Sequence, residues 1–527
     1  MKKPFFALIL LSTLLLSGCD LFKQTTNSSS NGGTSSGGNI SSGSNSTGGQ
    51  TEEKVKIEIY SSNDIHGQIK ESYPVPGLGK YATYFKQRRE EANTLLFDQG
   101  DAWQGSIYSN LNHGALVTDV MNYVHYDARC IGNHDFDWGL DYIKSNNARS
   151  YNGYTVPALA GNIYDFNFDT KQEGSVQQSD IGAKSTILTV NGDIKVGILG
   201  GIGMDQIKDI SSLYVKDITF KNHVDFIKEE AAHLRNDENC NIVICLIHSG
   251  QDSVMGNDLK DYVDLVLCGH THQRESANEG NLYYVQSGGY EDSFAHVTLT
   301  YDYKAGDVVN TKVQYLTGTN ILNKVESVDP AIQSIIDTYN CDTEANTVMA
   351  NNVNGYFDRY EQSSNLVAKA ILDTAIAEGY NDVIFSMVNV ARQALPNSTT
   401  WTFADIYQSF PFDNTVYIAE VRGSEIQYQI GYDYIARNPN YTNNTIDMHA
   451  TYKIAVLDFV YWHCGVDRYY DYFPITGGTS STTLSTHYRN ILRNWLLSNH
   501  YNEGTLLDSS NFSFSQWAYN KDAFMFV

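Results

Sequence analysis

The chain is short of positive charge. Lys and Arg number 36 against 60 Asp and Glu in 527 residues, a formal charge of −24, and the cations nowhere cluster. So acidic a surface repels a polyphosphate backbone, which excludes electrostatically driven binding to a nucleic-acid polymer. Cysteine is sparse too. Of the seven, Cys19 lies near the N-terminus, and Cys130, Cys240, Cys245, Cys268, Cys341 and Cys464 are scattered without a CxxC pair. This argues against a disulfide framework, which a chain of this size does not need, and leaves an isolated bridge open. Cys130, Cys245 and Cys268 fall in apolar runs and read as small core residues. Long hydrophobic runs are missing as well. The apolar stretch at 5–16 is too short to span a bilayer, and no other run reaches spanning length. What is present is globular: 42% hydrophobic and 18% charged residues, in a length that implies two to four domains.

The apolar stretch is an address. Lys2 and Lys3 precede it, as in a secretory signal peptide. It leads into Leu16-Ser17-Gly18-Cys19, which resembles the bacterial lipobox. That resemblance implies cleavage before Cys19, acylation of its sulfur, and residence on the extracellular face of a bacterial membrane, with the lipid as sole membrane contact. Residues 25–49 are all Ser, Thr, Gly or Asn except Ile40. They cannot bury apolar surface and form a disordered spacer, reaching roughly 25–30 Å on average. The expected organisation is a signal peptide over 1–18, an acylated cysteine and linker over 19–53, and folded chain from 54.

Alternating strands and helices follow. Val55, Ile57 and Ile59 alternate with Lys56 and Glu58, the pattern of a half-buried strand, which ends in Asn63-Asp64-Ile65-His66-Gly67. The run 94–97 ends in Asp98-Gln99-Gly100-Asp101, and 128–131 ends in Gly132-Asn133-His134-Asp135-Phe136-Asp137. The runs 241–247 and 264–268 end in His248-Ser249-Gly250 and Gly269-His270-Thr271-His272. In open α/β sheets the carboxyl ends of strands are where ligand sites assemble. Asp64 and His66 are separated by one residue, as are His270 and His272, so on an extended strand each pair would face one way. Asp101 adds a carboxylate, Asn133 an amide oxygen and His248 an imidazole. Oxygen and nitrogen donors without thiolate suit Zn, Mn or Fe better than Ca. Seven donors exceed the usual three of one catalytic zinc. They match two divalent ions about 3.5–4 Å apart sharing one carboxylate.

The blocks NDIHG, GDAWQGS, GNHDFDWG, HSG and GHTH, in this order, resemble those of the binuclear metallophosphoesterase superfamily. GNHDFDWG is similar to the form found in the 5′-nucleotidase family, which includes UDP-sugar hydrolases and 2′,3′-cyclic nucleotide phosphodiesterases. The resemblance implies a four-layer α/β/β/α sandwich over 54–325, a connecting helix over 326–345 and a mixed α/β substrate-recognition domain over 346–527. It also implies that Asp64, His66, Asp101 and His272 bind one metal. Asp101, Asn133, His248 and His270 would bind the second, with Asp101 bridging and a metal-bridged hydroxide as nucleophile. His134 would stabilise the transition state and Asp137 orient it. A carboxylate beside an imidazole favours its cation, which offsets charge building on a phosphoryl oxygen.

The second half resembles the family less closely. Asp329 and Pro330 read as N-cap and first residue of a helix, and Ser364 to Gly379 as a helix closed by glycine. Arg392 matches a family arginine and would pair with phosphate. Phe412 and Asn414, in Pro411-Phe412-Asp413-Asn414, match a base-stacking phenylalanine and its companion amide. Phe459, in a strand-like run at 455–459, matches the second stacking phenylalanine, and Asp467 would accept from ribose hydroxyls. The glycines the family carries before Arg392 are absent from 387–391, and the block 464–469 departs from its Gly-Gly-Asp-Gly-Tyr. Added side chains there reshape the pocket wall. The expected activity is an extracellular nucleotide phosphohydrolase of 5′-nucleotidase type. A cyclic-nucleotide phosphodiesterase or UDP-sugar hydrolase, and a non-catalytic surface-binding lipoprotein, are the alternatives. The substrate is a nucleotide or another small phosphate ester.

Overall fold

The strand that Val55, Ile57 and Ile59 announce runs from Lys54 to Ser62. The computed structural model describes residues 54–527 other than 73, 92, 168, 171, 211–213, 291 and 462–481. The expected signal peptide, Cys19 and linker, the block 464–469 and Asp467 lie outside the described residues. Lys54–Ser62 pairs in parallel with Thr94–Asp98 and antiparallel with Ser293–Asp302. Ala128–Cys130 and Ala158–Leu159 extend this six-stranded sheet on one side, and Asp307–Thr317 closes the other. A second six-stranded sheet has the order Arg274–Glu279, Leu282–Ser287, Leu265–Cys268, Ile242–His248, Ile194–Ile202, Ser185–Val190. Its central strands are parallel and both of its edges antiparallel.

Strand parity sorts the side chains into layers. Ile57, Ile59, Leu95 and Phe97 face Ile244, Leu246 and Leu267 between the two sheets. Tyr60 and Leu96 point the other way and pack with Phe85 and Val120, from the helices Gly77–Arg88 and Ala115–Tyr123. On the second sheet, Cys245, Ile247 and Val266 turn outward beneath Ile227 and Leu234 of the helix His223–Asn236. The layering is helix, sheet, sheet, helix. Each large apolar side chain so buried contributes about 1.5–3 kcal/mol.

The C-terminal part has its own five-stranded mixed sheet, ordered Tyr434–Arg437, Val383–Val388, Thr451–Leu457, Val416–Arg422, Thr482–Thr483. Leu366 and Ile371 of the helix Gln362–Ala377 pack in its core with Ile491 and Leu492 of Tyr488–Ser498. Gly379, at φ +100°, takes the left-handed conformation that closes the first of these helices. Asp329 caps Pro330–Thr338, its Oδ1 accepting from Ala331 N at 2.9 Å. One detail departs from the sequence pattern. Phe459 is not on the strand, which ends at Leu457, but in the short helix Asp458–Tyr461. The Asp458 carboxylate accepts from Thr415 N and Phe459 N, drawing the backbone out of the ladder. Cys130, Cys240, Cys245, Cys268 and Cys341 are buried free thiols. No helix among the described residues is long and apolar enough to cross a membrane.

Candidate metal centre and substrate pocket

Five strands end at one place, but the donors that follow three of them are not extended. Asp64, His66, Asp101, His270 and His272 have φ of 52°, 50°, 56°, 79° and 57°. Strand alternation therefore does not explain why Asp64 joins His66, and His270 and His272, spaced alike, enter different donor sets. Left-handed backbone after the strands Lys54–Ser62, Thr94–Asp98 and Leu265–Cys268 sets these positions. Non-glycine residues held in such backbone cost of order 1–3 kcal/mol each, and the strain persists only where the surroundings over-determine it. Close packing around Asp101 is part of that constraint: a Cβ on Gly132 would stand 2.1 Å from Asp101 Oδ1.

The donors gather in two sets. In the first, His272 Nε2 lies 3.3 Å from Asp64 Oδ1 and 3.2 Å from His66 Nε2, which is itself 3.9 Å from Asp64 Oδ1. In the second, His248 Nε2 lies 3.2 Å from Asp101 Oδ2 and 3.0 Å from Asn133 Oδ1, and His270 Nδ1 lies 2.9 Å from Asn133 Oδ1. Asp101 Oδ2 is also 4.0 Å from His66 Nε2, so one carboxylate oxygen faces both sets. The trios Asp64, His66, His272 and Asp101, His248, His270 each have the composition and spacing of a metal site.

The surroundings fit cations. Asp64 Oδ1 is buried and has no hydrogen-bond partner, a costly state for a carboxylate oxygen that is not a ligand. His66 Nδ1 is 2.7 Å from Gln104 O and His248 Nδ1 is 2.7 Å from Gln99 O. Each carbonyl fixes the Nδ1–H tautomer and leaves the Nε2 lone pair for a metal. Donor atoms about 3.3 Å apart suit a common ion at about 2.0–2.2 Å from each. Burial and neighbouring cations hold the His66 imidazole well below its usual range, and burial with His248 brings His270 down to about 4. Both are neutral near pH 7, as ligands must be. Burial opposes the charge on His248, yet Asp101 outweighs it and lifts His248 to about 10; a cation would displace that proton. The trios Asp64, His66, His272 and Asp101, His248, His270 are thus consistent with a binuclear divalent-metal centre, with the Asn133 amide oxygen beside the second.

A cavity of about 600 Å³ opens over these donors, and both halves of the chain line it. His134, Asp137, Arg392, Phe412, Asn414 and Phe459 are all on its wall. His134 Nδ1 is 2.9 Å from Asp137 Oδ2, and its backbone N–H donates to Asp101 Oδ1 at 2.8 Å. Burial would lower the His134 pKa, but Asp137 and Asp101 reverse it and the net displacement is upward. The Phe412 ring stacks on His134, centroids 5.2 Å apart and planes at 26°. Asn414 Nδ2 donates to Asp458 Oδ1 at 2.5 Å.

The turn carrying Phe412 is gripped from both sides. Gln104 Nε2 and Asn110 Nδ2, from the metal-bearing half, donate to Pro411 O at 2.7 and 2.6 Å, and Trp138 Nε1 donates to Asp413 Oδ2 at 2.7 Å. From behind, Arg489 Nη1 donates to the carbonyls of Phe410, Pro411 and Phe412, and Nη2 to Asp413. Sequence reasoning missed Gln104, although it stands inside a recognised block, because its role depends on a partner far along the chain. It also missed Tyr214, Asp209 and Tyr290, which line the cavity and carry no local motif.

Comparison with known proteins agrees with this geometry. Residues 58–274 match the calcineurin-like phosphoesterase family. The 5′-nucleotidase of Rattus norvegicus is 25% identical over 425 residues, covering 72% of this chain and 71% of the rat protein. Protein 5NUC of Lutzomyia longipalpis is 32% identical over 200 residues, which span 37% of this chain and 32% of that protein. Among solved structures, the 5′-nucleotidase precursor of Thermus thermophilus superposes with a TM-score of 0.68 at 17% identity, covering 86% of this chain and 97% of its own. A putative 5′-nucleotidase from Staphylococcus aureus gives 0.64 at 17% identity, with 86% and 100% covered. These two likenesses concern the fold. With its two donor sets and a calcineurin-like phosphoesterase domain over residues 58–274, the chain is a phosphoric ester hydrolase whose homologues are 5′-nucleotidases.

Proposed function

We propose that this protein is an extracellular nucleotide phosphohydrolase of 5′-nucleotidase type, tethered to a bacterial membrane by acylated Cys19. One observation carries the substrate reading: the cavity that holds His134 and Arg392 beside the metal donors is also lined by Phe412 and Phe459. Groups suited to a phosphate and faces suited to a base share one space.

In this reading Asp64, His66, Asp101 and His272 hold one divalent cation, and Asp101, Asn133, His248 and His270 the other. Bound there, the two ions supply Lewis acidity toward a phosphoryl oxygen and activate water. The chain's own groups do the rest. His134, cationic beside Asp137 and Asp101, offsets charge that builds on the phosphoryl oxygen, and Asp137 keeps its imidazole in place. Arg392 pairs with the phosphate. Phe459 and the free face of Phe412 take the base, a stacking contact of about 1–3 kcal/mol. Asn414, its amide nitrogen engaged by Asp458, has its carbonyl oxygen left for the base edge. Asp467 accepts from ribose hydroxyls.

The test is phosphate release from a panel of nucleoside monophosphates, cyclic nucleotides and nucleotide sugars, with and without chelator. Chelator-sensitive release from the monophosphates is expected. Release from aryl phosphates but from no nucleotide would remove the nucleotide and keep the phosphoesterase. Cys19→Ser should leave the protein unlipidated and free of the membrane.

A further inference from the structure

Tyr290 follows the strand Leu282–Ser287 through Gly288 and Gly289, and no motif marks it. Among the described residues it is the largest side chain with positive φ, at 53°. A bulky residue in left-handed backbone is an outlier that its contacts must hold in place. Those contacts all lead to the metal centre. The Tyr290 backbone N–H donates to Asp64 O at 2.7 Å. Its ring stacks on His66 with centroids 4.9 Å apart and meets His272 edge-on at 4.9 Å. Gly289 leaves room for this arrangement, since a Cβ there would stand 2.9 Å from the His272 ring. At the far end of the side chain, Arg392 Nε donates to Tyr290 Oη at 2.5 Å, and Arg392 Nη2 lies 3.2 Å from His272 Nε2.

Packing alone would be served by phenylalanine. The oxygen does something else. As the acceptor of the Arg392 Nε–H, the phenol keeps its own proton to donate, and the guanidinium beside it strengthens that donation. Tyr290 and Arg392 both line the cavity, on the side of the Asp64, His66 and His272 donors. We infer that Tyr290 is a substrate-binding residue, and that its hydroxyl and the Arg392 guanidinium form one clamp that donates to a phosphoryl oxygen. The inference rests on the cavity's being a phosphate-ester site and adds to it a neutral donor fixed by an arginine. Because the clamp grips the phosphoryl group and not the leaving group, it acts alike on nucleotides and on simple esters.

Tyr290→Phe removes one oxygen and keeps the ring against His66. The probe is inorganic phosphate, titrated calorimetrically into the Mn²⁺-loaded full chain, with metal content and melting temperature measured on the same samples. The variant should keep two metals and its melting temperature, while phosphate binds about tenfold more weakly, or about 1.4 kcal/mol. KM should rise together for a nucleotide and for an aryl phosphate. Arg392→Lys should lose a similar factor, and the double variant little more than either, because the two groups act as a unit. Wild-type phosphate affinity in Tyr290→Phe would overturn the inference. Loss of metal in that variant would also overturn it, by showing that the residue only buttresses His66. If the wild type hydrolyses no nucleotide yet binds phosphate through Tyr290, the nucleotide reading falls and the clamp stands. If it binds no phosphate at all, both fall.

Discussion

Asp433 lies apart from the metal donors and tests how burial sets a charge in this fold. Its side chain is 5% exposed, just beyond the helix Gly423–Gln429, and Oδ2 accepts from Gln429 Nε2 at 2.6 Å. Burial pushes its pKa from 3.8 up to about 7, against the downward pull of Gln429 and Lys521. A folded pKa above the unfolded one means that the native state binds the proton more tightly. The stability this contributes is whole below about pH 4 and is lost as pH rises through about 7. At about 1.4 kcal/mol per pH unit between the two values, ionisation costs the native state about 4 kcal/mol. Asp433→Asn keeps the shape and never ionises. It also offers a donor to Gln429 Oε1, which is buried without a hydrogen-bond partner. Urea unfolding of the Mn²⁺-loaded wild type and variant, side by side at pH 5 and pH 8, isolates the effect, since acid loss of metal is common to both proteins. The variant's advantage should grow by roughly 2–3 kcal/mol between these pH values. An advantage equal at both, or a variant less stable at pH 8, would refute the reasoning.

Three further outcomes concern the site. His134→Ala should keep two metals by metal analysis and lose about 10²–10³-fold in turnover, the usual worth of a group that stabilises transition-state charge; an emptied centre or full activity would reassign the residue. Asp101→Ala should lose metal from both positions, since one of its oxygens faces both donor sets; a protein that still holds two ions would exclude a shared carboxylate. Phe459→Ala should raise KM for a nucleotide while hydrolysis of a small aryl phosphate stays nearly unchanged, and equal losses on both substrates would remove base stacking from the account.

Much of this site was legible before any coordinates. The donors Asp64, His66, Asp101, Asn133, His248, His270 and His272 sit in short blocks after apolar runs, because a metal centre at strand ends needs donor types and tight turns within a few residues. The sandwich was legible for a similar reason: alternation along Lys54–Ser62 and the apolar runs 241–247 and 264–268 state which faces are buried. The conformation of the ligands was not. Spacing by one residue suggested two side chains on one face of a strand, whereas Asp64 and His66 reach a common point through left-handed backbone. A residue's φ is imposed by what surrounds it, here the packing of Gly132 against Asp101 and the bond from Tyr290 N to Asp64 O.

The sequence by itself determined the kind of chemistry: hard and borderline donors without thiolate, an Asn-His pair with an aspartate three residues on, and too few cations to hold a polyanion. Those properties belong to side-chain type and short spacing, which travel with the chain whatever its fold. Only tertiary structure decided which groups became neighbours across tens to hundreds of residues. Gln104 turns its carbonyl to His66 and its amide to Pro411, Trp138 reaches Asp413, and Tyr290 receives Arg392. Each of these contacts joins segments whose separation along the chain carries no local signal. They form because burying two sheets and a second core brings the strand ends of one half against the turn Pro411–Asn414 of the other.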